Sequence, residues 1–215
     1  MQHLHRFELD YLCTWLHRPD RKPLVIRGVR QVGKSTLVQL LAEKENLNLI
    51  TLDFEKNPDI AELFKSNEPK NILTLIGALL NKNIEIKSSL LFLDEIQRTP
   101  HVLATIRYFY EKMPELPVIV AGSLLDLALK NANFSMPVGR IEYLFLGPMN
   151  FESFLLATQK KQSLDFLNQY ELGQEIPLAV HKNLLDCVKT YFMIGGLPEA
   201  VAKYSQTENF IDVIR

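Results

Sequence analysis

Cysteine is nearly absent from this 215-residue chain: Cys13 and Cys187 are the two present, and neither has a metal-ligand partner at a recognisable spacing. That excludes a disulfide framework and a zinc ribbon, and it fits buried thiols in a reducing compartment. Net charge is also nearly absent. With 24 basic and 25 acidic residues the balance is −1, so no global field draws the protein to nucleic acid or to an anionic membrane. Apolar runs long enough to span a bilayer are missing, and the opening "MQHLHRFELD" has no apolar signal core. A cytoplasmic location is the expectation. Arginine is missing as well, from Ile141 through Ile214.

What is present is a chain 47% hydrophobic and 23% charged, enough for a substantial core. Short apolar runs alternate with stretches of helical period. "FELDYLCTWLHR" sets Phe7, Tyr11, Leu12 and Trp15 at helical spacing. The runs "PLVIRG", "NLITLDFE", "SSLLFLDEI", "LPVIVAGS" and "IEYLFLG" read as five strands. "KSTLVQLLAEKE" and "HVLATIRYFYEKM" read as helices, as does 58–80 with a break near "NEPKN". Strands apolar on both faces and alternating with helices predict an α/β fold with a parallel five-stranded sheet covered on both sides. Punctuation at Gly147 and Pro148 places a boundary there, with an α/β core and its N-terminal helix over 1–148 and a helical unit over 149–215.

"GVRQVGKS", residues 28–35, carries the chemistry. It satisfies G-x-x-x-x-G-K-[ST] in full, the Walker A pattern, follows an expected strand and opens an expected helix. In such a loop successive backbone N–H groups turn inward and form a nest for anions. The following helix adds the partial positive charge of its N-terminus. Gly28, Val29, Arg30, Gln31, Val32, Gly33, Lys34, Ser35 and Thr36 are therefore expected to cradle the phosphates of ATP. Lys34 would reach the β- and γ-phosphates, and Ser35 would offer its hydroxyl to Mg²⁺. Six basic residues against one acid between His17 and Lys34 agree with a phosphate site or with a solvated face beside one.

A second signal is "LLFLDEI", sixty residues beyond Lys34, a Walker B-like strand. An acid at the C-terminal end of a buried parallel strand faces the crevice where ligands bind. Asp94 is the expected Mg²⁺ ligand, through water, and Glu95 the expected base for the attacking water. Ser123, ending the fourth strand, could touch the γ-phosphate or the water; it could equally cap a helix over "LLDLALK". Arg140, just before the fifth strand, reads either as a surface residue or as an arginine that stabilises charge on the transferring phosphate.

Taken with "GRIEYLFLGPMNFESFL" and "YFMIGGLPEAV", these segments resemble, in order, the prokaryotic AAA-type ATPases of the AAA_14 family, over about Leu9 to Val201. The loop and acid strand are specific only to P-loop ATPases; "GPMNFESFL" and "GGLPEA" carry the narrower resemblance. It implies a P-loop NTPase three-layer sandwich of the AAA+ kind with a C-terminal helical lid, and ATP hydrolysis coupled to a conformational change. It implies ATP/ADP and Mg²⁺ as ligands, a homo-oligomer, and an unidentified protein partner. It would place Gly195, Gly196 and Pro198 of the lid at the nucleotide, and Arg140 at a neighbouring subunit's nucleotide. Family members usually carry a DUF4143 C-terminal domain, so the resemblance implies a chain ending before that domain. Where many relatives have a lid arginine this chain has Glu199, which speaks against an arginine sensor there. The absence of lid arginines also argues against a kinase. An ATP-responsive switch with negligible turnover needs the same loop and stands as the alternative; a nucleic-acid reader has no basic recognition helix to support it.

Overall fold

A computed structural model of the chain describes residues 4–99, 101–123 and 139–214. The chain divides into two compact units, Glu8–Leu146 and a second formed by Met1–Phe7 with Gly147–Arg215.

The first unit holds a five-stranded, wholly parallel sheet in the order β2-β3-β4-β1-β5, with β1 Leu24–Arg27, β2 Asn48–Asp53, β3 Ser89–Asp94, β4 Val118–Gly122 and β5 Glu142–Phe145. Side chains alternate between the two faces of a strand, and the core divides accordingly. Val25, Ile50, Leu52, Leu91, Leu93, Val118 and Val120 bury one face beneath α3 (Pro69–Leu80) and α4 (Val102–Lys112). Leu24, Ile26, Leu90, Phe92, Ile119 and Ala121 bury the other against α1 (Phe7–His17) and α2 (Lys34–Lys44). The result is a three-layer sandwich. The central β3 and β4 are buried along their whole length, whereas the edge strand β2 mixes buried and wet positions and β5 alternates half-buried and exposed ones. Fully apolar patterning thus belongs to the strands paired on both sides.

Two local details sharpen the sequence reading. The face that α1 buries is Leu12, Trp15 and Leu16, while Phe7 and Tyr11 stay about two-fifths exposed at 42% and 41%. The Trp15 indole N–H donates to Lys22 O at 2.9 Å, which anchors the helix on that side. Within 58–80, Pro58–Phe64 winds as a 3₁₀ helix, and α3 begins afresh at Pro69. Proline suits a first helical turn, where its missing N–H costs nothing.

The second unit is helical: α5 Phe151–Ala157, α6 Lys161–Gln169, α7 Leu178–Ile194, α8 Pro198–Thr207 and α9 Phe210–Ile214. Asn150 caps α5 by accepting the Ser153 N–H at 2.9 Å. Met149, Phe154 and Val201 form its core, with Phe151, Tyr191 and Tyr204 packed around Phe154. Both cysteines are free thiols, Cys187 buried and Cys13 half-buried. Among the described residues no helix is long and apolar enough to cross a membrane.

Candidate nucleotide site

Residues 28–33 leave the C-terminal end of β1 as a tight loop and feed directly into α2. Gly28 has φ +157°, and a Cβ there would lie 2.1 Å from Leu146 O, so only glycine fits against the chain leaving β5. Gly33 is left-handed (φ 88°, ψ 29°) and caps α2; Gln31 is also left-handed, at φ 64°. A non-glycine residue there costs roughly 1–3 kcal/mol. The loop is therefore held in a shape the chain does not adopt freely. The Val32 side chain is 1% exposed and packs into the core under α2, leaving its backbone to the loop. Val29, Arg30 and Thr36 are exposed.

Lys34 is buried, and its ammonium donates to Gly28 O at 3.1 Å and Val29 O at 2.9 Å. Burial pulls its pKa below the ordinary amine value, against the opposing pull of the Glu95 and Asp94 carboxylates. The next residue, Ser35, donates its hydroxyl to Asp94 Oδ2 at 2.6 Å. Asp94 Oδ1 accepts the Glu95 N–H at 3.0 Å. Burial raises the Asp94 pKa, and these two hydrogen bonds oppose the rise.

Sheet register brings these groups together. Arg27, the last residue of β1, lies beside Gly122 of β4, and Leu93 of β3 lies beside Val120. The loop, Ser123 and the Asp94–Glu95 pair therefore emerge from one end of three adjacent strands. Glu95 is left-handed (φ 54°, ψ 41°), which turns the chain sharply into a 3₁₀ helix, Ile96–Arg98. Gln97 comes back over the site from that turn. Its amide N–H₂ donates to Glu95 Oε2 and to Ser123 Oγ, the latter at 3.2 Å. Ser123, 1% exposed, itself donates to Glu95 Oε2 at 3.3 Å. Ser123 thus ends β4 against Glu95; the stretch it was expected to cap as a helix lies outside the described residues. The Gln97 carbonyl oxygen is buried with no hydrogen-bond partner among the described residues. An orphaned acceptor costs about 1–3 kcal/mol, yet flipping the amide would set that oxygen against Glu95 Oε2 and forfeit that bond.

Sequence reasoning missed Gln97. Its only sequence signal is a polar side chain two residues past Glu95. Glu55 was missed too: its carboxylate takes Arg98 at 2.6 Å and the loop's Arg30 at 3.5 Å, and Arg98 holds its pKa below the usual carboxylate range. Asp53, ending β2 beside Asp94, accepts the Glu55 and Lys56 N–H groups at 3.0 Å each and shapes that turn.

Arg140, another sequence candidate, is not in this cluster. Arg140 pairs with Glu111 at 2.9 Å. It precedes β5, whose first residue, Glu142, lies beside Leu24 at the start of β1, so Arg140 stands at the opposite end of the sheet from residues 28–35. At ~3.3 Å per residue the strand alone separates them by more than ~10 Å. Pro198 belongs to the helical unit, where it opens α8. Just before it, Gly195 (φ 74°) ends α7 by donating its N–H to Tyr191 O at 2.8 Å. A Cβ on Gly196 would lie 2.2 Å from Met149 O. A helix stop and a close chain crossing thus account for both glycines locally.

Ser35 and Asp94 present hard oxygen donors at hydrogen-bond distance, and among the described residues no group of three or more His, Cys, Asp or Glu is placed to hold a metal ion. That donor set fits Mg²⁺, which keeps most of its waters and takes its remaining ligands from phosphates.

The family model AAA_14, described as an AAA domain, matches residues 20–155, more than half of the chain. No curated protein matches the sequence. Among solved structures, the Thermotoga maritima RuvB Holliday junction branch migration motor is similar at 13% identity, with 98% of this chain and 68% of that one covered and a TM-score of 0.51. The Aeropyrum pernix ORC2 protein, solved in ADPNP–ADP complexes, is similar at 16% identity over 74% of this chain, with a TM-score of 0.49. The chain spans about half, 51%, of that protein's length. The RuvB likeness establishes a shared fold.

Proposed function

The chain belongs to the AAA_14 family of AAA domains, and from that premise we propose that it binds ATP and hydrolyses it to ADP and phosphate, coupling turnover to a conformational change that acts on a protein partner. The observation that carries the reading is the convergence, at one end of three strands, of Lys34, the Ser35–Asp94 hydrogen bond and Glu95.

Each residue has a role that its surroundings support. The N–H groups of 28–36 bind phosphate oxygens, helped by the N-terminus of α2. Lys34 lies within reach of the loop's interior and exchanges its two carbonyl partners for the β- and γ-phosphates. Ser35 and Asp94 are the residues that would hold Mg²⁺, which would supply charge neutralisation when bound. Glu95 orients a water and accepts one of its protons as the water oxygen bonds to the γ-phosphorus. The bond from that phosphorus to the bridging oxygen breaks, ADP leaves, and the proton passes on to solvent or phosphate. Ser123 steadies the base.

The helical unit, with Gly195, Gly196 and Pro198, acts as a lid that closes on bound nucleotide. Arg140, standing away from its own loop, serves a neighbouring copy in a homo-oligomer. Two free thiols support a cytoplasmic setting.

The test is single-turnover hydrolysis of Mg-ATP by wild type and Glu95→Gln. Wild type should release phosphate. The variant should bind ATP as well and turn over ~10²–10⁴-fold more slowly. A wild type that binds ATP and releases none is instead a nucleotide-responsive switch.

A further inference from the structure

Among the described residues two side chains donate to the Glu95 carboxylate, and both arrive at the same oxygen, Oε2: the Gln97 amide and the Ser123 hydroxyl. Gln97 also donates to Ser123, so the three side chains close a ring across the ends of β3 and β4. From these contacts we infer that Gln97 is a positioning residue for hydrolysis: it clamps Oε2 of Glu95 so that Oε1 alone is presented to the attacking water. This rests on the hydrolytic reading above.

Three observations carry it. First, a carboxylate on a rotatable stem is a poor base until one oxygen is fixed, because proton abstraction needs the acceptor within hydrogen-bond reach of the water. Glu95 lies half-buried, with its backbone already turned left-handed. Two convergent donors remove the remaining freedom of the carboxylate plane. Second, the Gln97 amide nitrogen makes bonds to both Glu95 and Ser123, while its oxygen is buried with no partner among the described residues. The two bonds of the nitrogen offset that cost. Third, β4 is built to admit the amide. A Cβ on Gly122 would lie 2.7 Å from Gln97 Oε1 and 3.2 Å from Ile96 Cγ2. Glycine at the end of β4 leaves the space in which the Gln97 head group sits.

Gln97 does not touch the phosphates' cradle; it acts through Glu95. Its loss should therefore lower kcat and leave nucleotide affinity alone. Gln97→Met keeps the length and volume and removes the donor. A hydrogen bond to a charged group is commonly worth ten- to a hundred-fold in rate, so kcat for ATP should fall by about 10- to 100-fold. The Kd for a fluorescent ATP analogue should change by less than about 3-fold, given that the loop is untouched. In the Glu95→Gln background the same substitution should cost less than about 2-fold, because residues that act as a unit are non-additive. Gly122→Ala leaves every polar group in place and pushes the amide aside; it should reproduce the kcat loss. Gln97→Glu, nearly isosteric, is the second route should Gln97→Met melt early, and it should lose kcat at least as severely.

Wild-type turnover with kcat unchanged in Gln97→Met or Gln97→Glu overturns the positioning role and leaves the ATPase reading intact. An equal loss of kcat with and without Glu95 also overturns it, since Gln97 would then act independently. A wild type that binds ATP and hydrolyses none overturns the hydrolytic reading, and the positioning role falls with it.

Discussion

Ser35 Oγ lies 2.6 Å from Asp94 Oδ2, joining the first turn of α2 to the end of β3 across 59 residues of sequence. The pair holds a carboxylate in a buried place that raises its pKa above the ordinary value near 3.8. The sign of the linkage follows. The folded state binds the proton more tightly than the unfolded state. The associated stability is fully present below the unfolded pKa and is lost as pH rises through the raised folded value. At neutral pH ionised Asp94 therefore costs stability. Asp94→Asn removes that charge, and the Ser35 hydroxyl can reverse to keep both hydrogen bonds. The nucleotide-free variant should melt higher by ~2–4 °C, the shift that ~1 kcal/mol produces in domains of this size. The gain should vanish at acidic pH. Its Mg²⁺-dependent nucleotide binding should be weakened. Melting curves from pH 3 to 8 and titrations with and without Mg²⁺ check all three.

Lys34→Ala should abolish ATP binding and leave the fold in place. The ammonium is held by loop carbonyls, and burial already penalises its charge. Its removal should therefore cost the core little. Calorimetric titration with Mg-ATP, alongside the cooperativity of the melting curve, separates loss of the site from loss of structure. Unchanged affinity rejects the phosphate cradle.

Gly28→Ala should be far more harmful to the protein than its one added methyl group suggests. A Cβ there meets Leu146 O at 2.1 Å, and the Leu146 N–H simultaneously donates to Arg27 O at 2.7 Å. Neither backbone can yield without unpairing β5 from β1. A loss of ~1–3 kcal/mol is expected from such overpacking, together with weakened ATP binding, read by thermal unfolding and titration of the same sample.

Arg140→Ala should barely change stability, because a half-exposed ion pair with Glu111 contributes ~0–1 kcal/mol. Its effect on turnover reports whether it serves a second copy. If it does, specific activity should rise with protein concentration, and the variant should lose up to ~10³–10⁵-fold. Mixing Arg140→Ala with Lys34→Ala should restore some activity, one supplying the site and the other the arginine. A concentration-independent rate indifferent to Arg140→Ala leaves it as a surface residue.

The sequence alone determined the parts of this protein whose physics is local. Residues 28–35 announce a loop that uses glycine at both ends, because a left-handed cap at Gly33 favours glycine and a close approach at Gly28 admits no Cβ. The central strands announce themselves because a segment buried on both faces must be largely apolar, as 90–93 and 118–122 are. Asp94 and Glu95 stand out because charge at the end of such a run is costly anywhere but at a crevice. Tertiary structure decided what depends on which strands become neighbours. Strand order β2-β3-β4-β1-β5 sets Ser35 against Asp94 and closes Gln97, Ser123 and Glu95 into one ring. It turns Val32 into core, and it carries Arg140 to the far end of the sheet. Pairing energies and register arise between segments dozens of residues apart, so no window along the chain contains them.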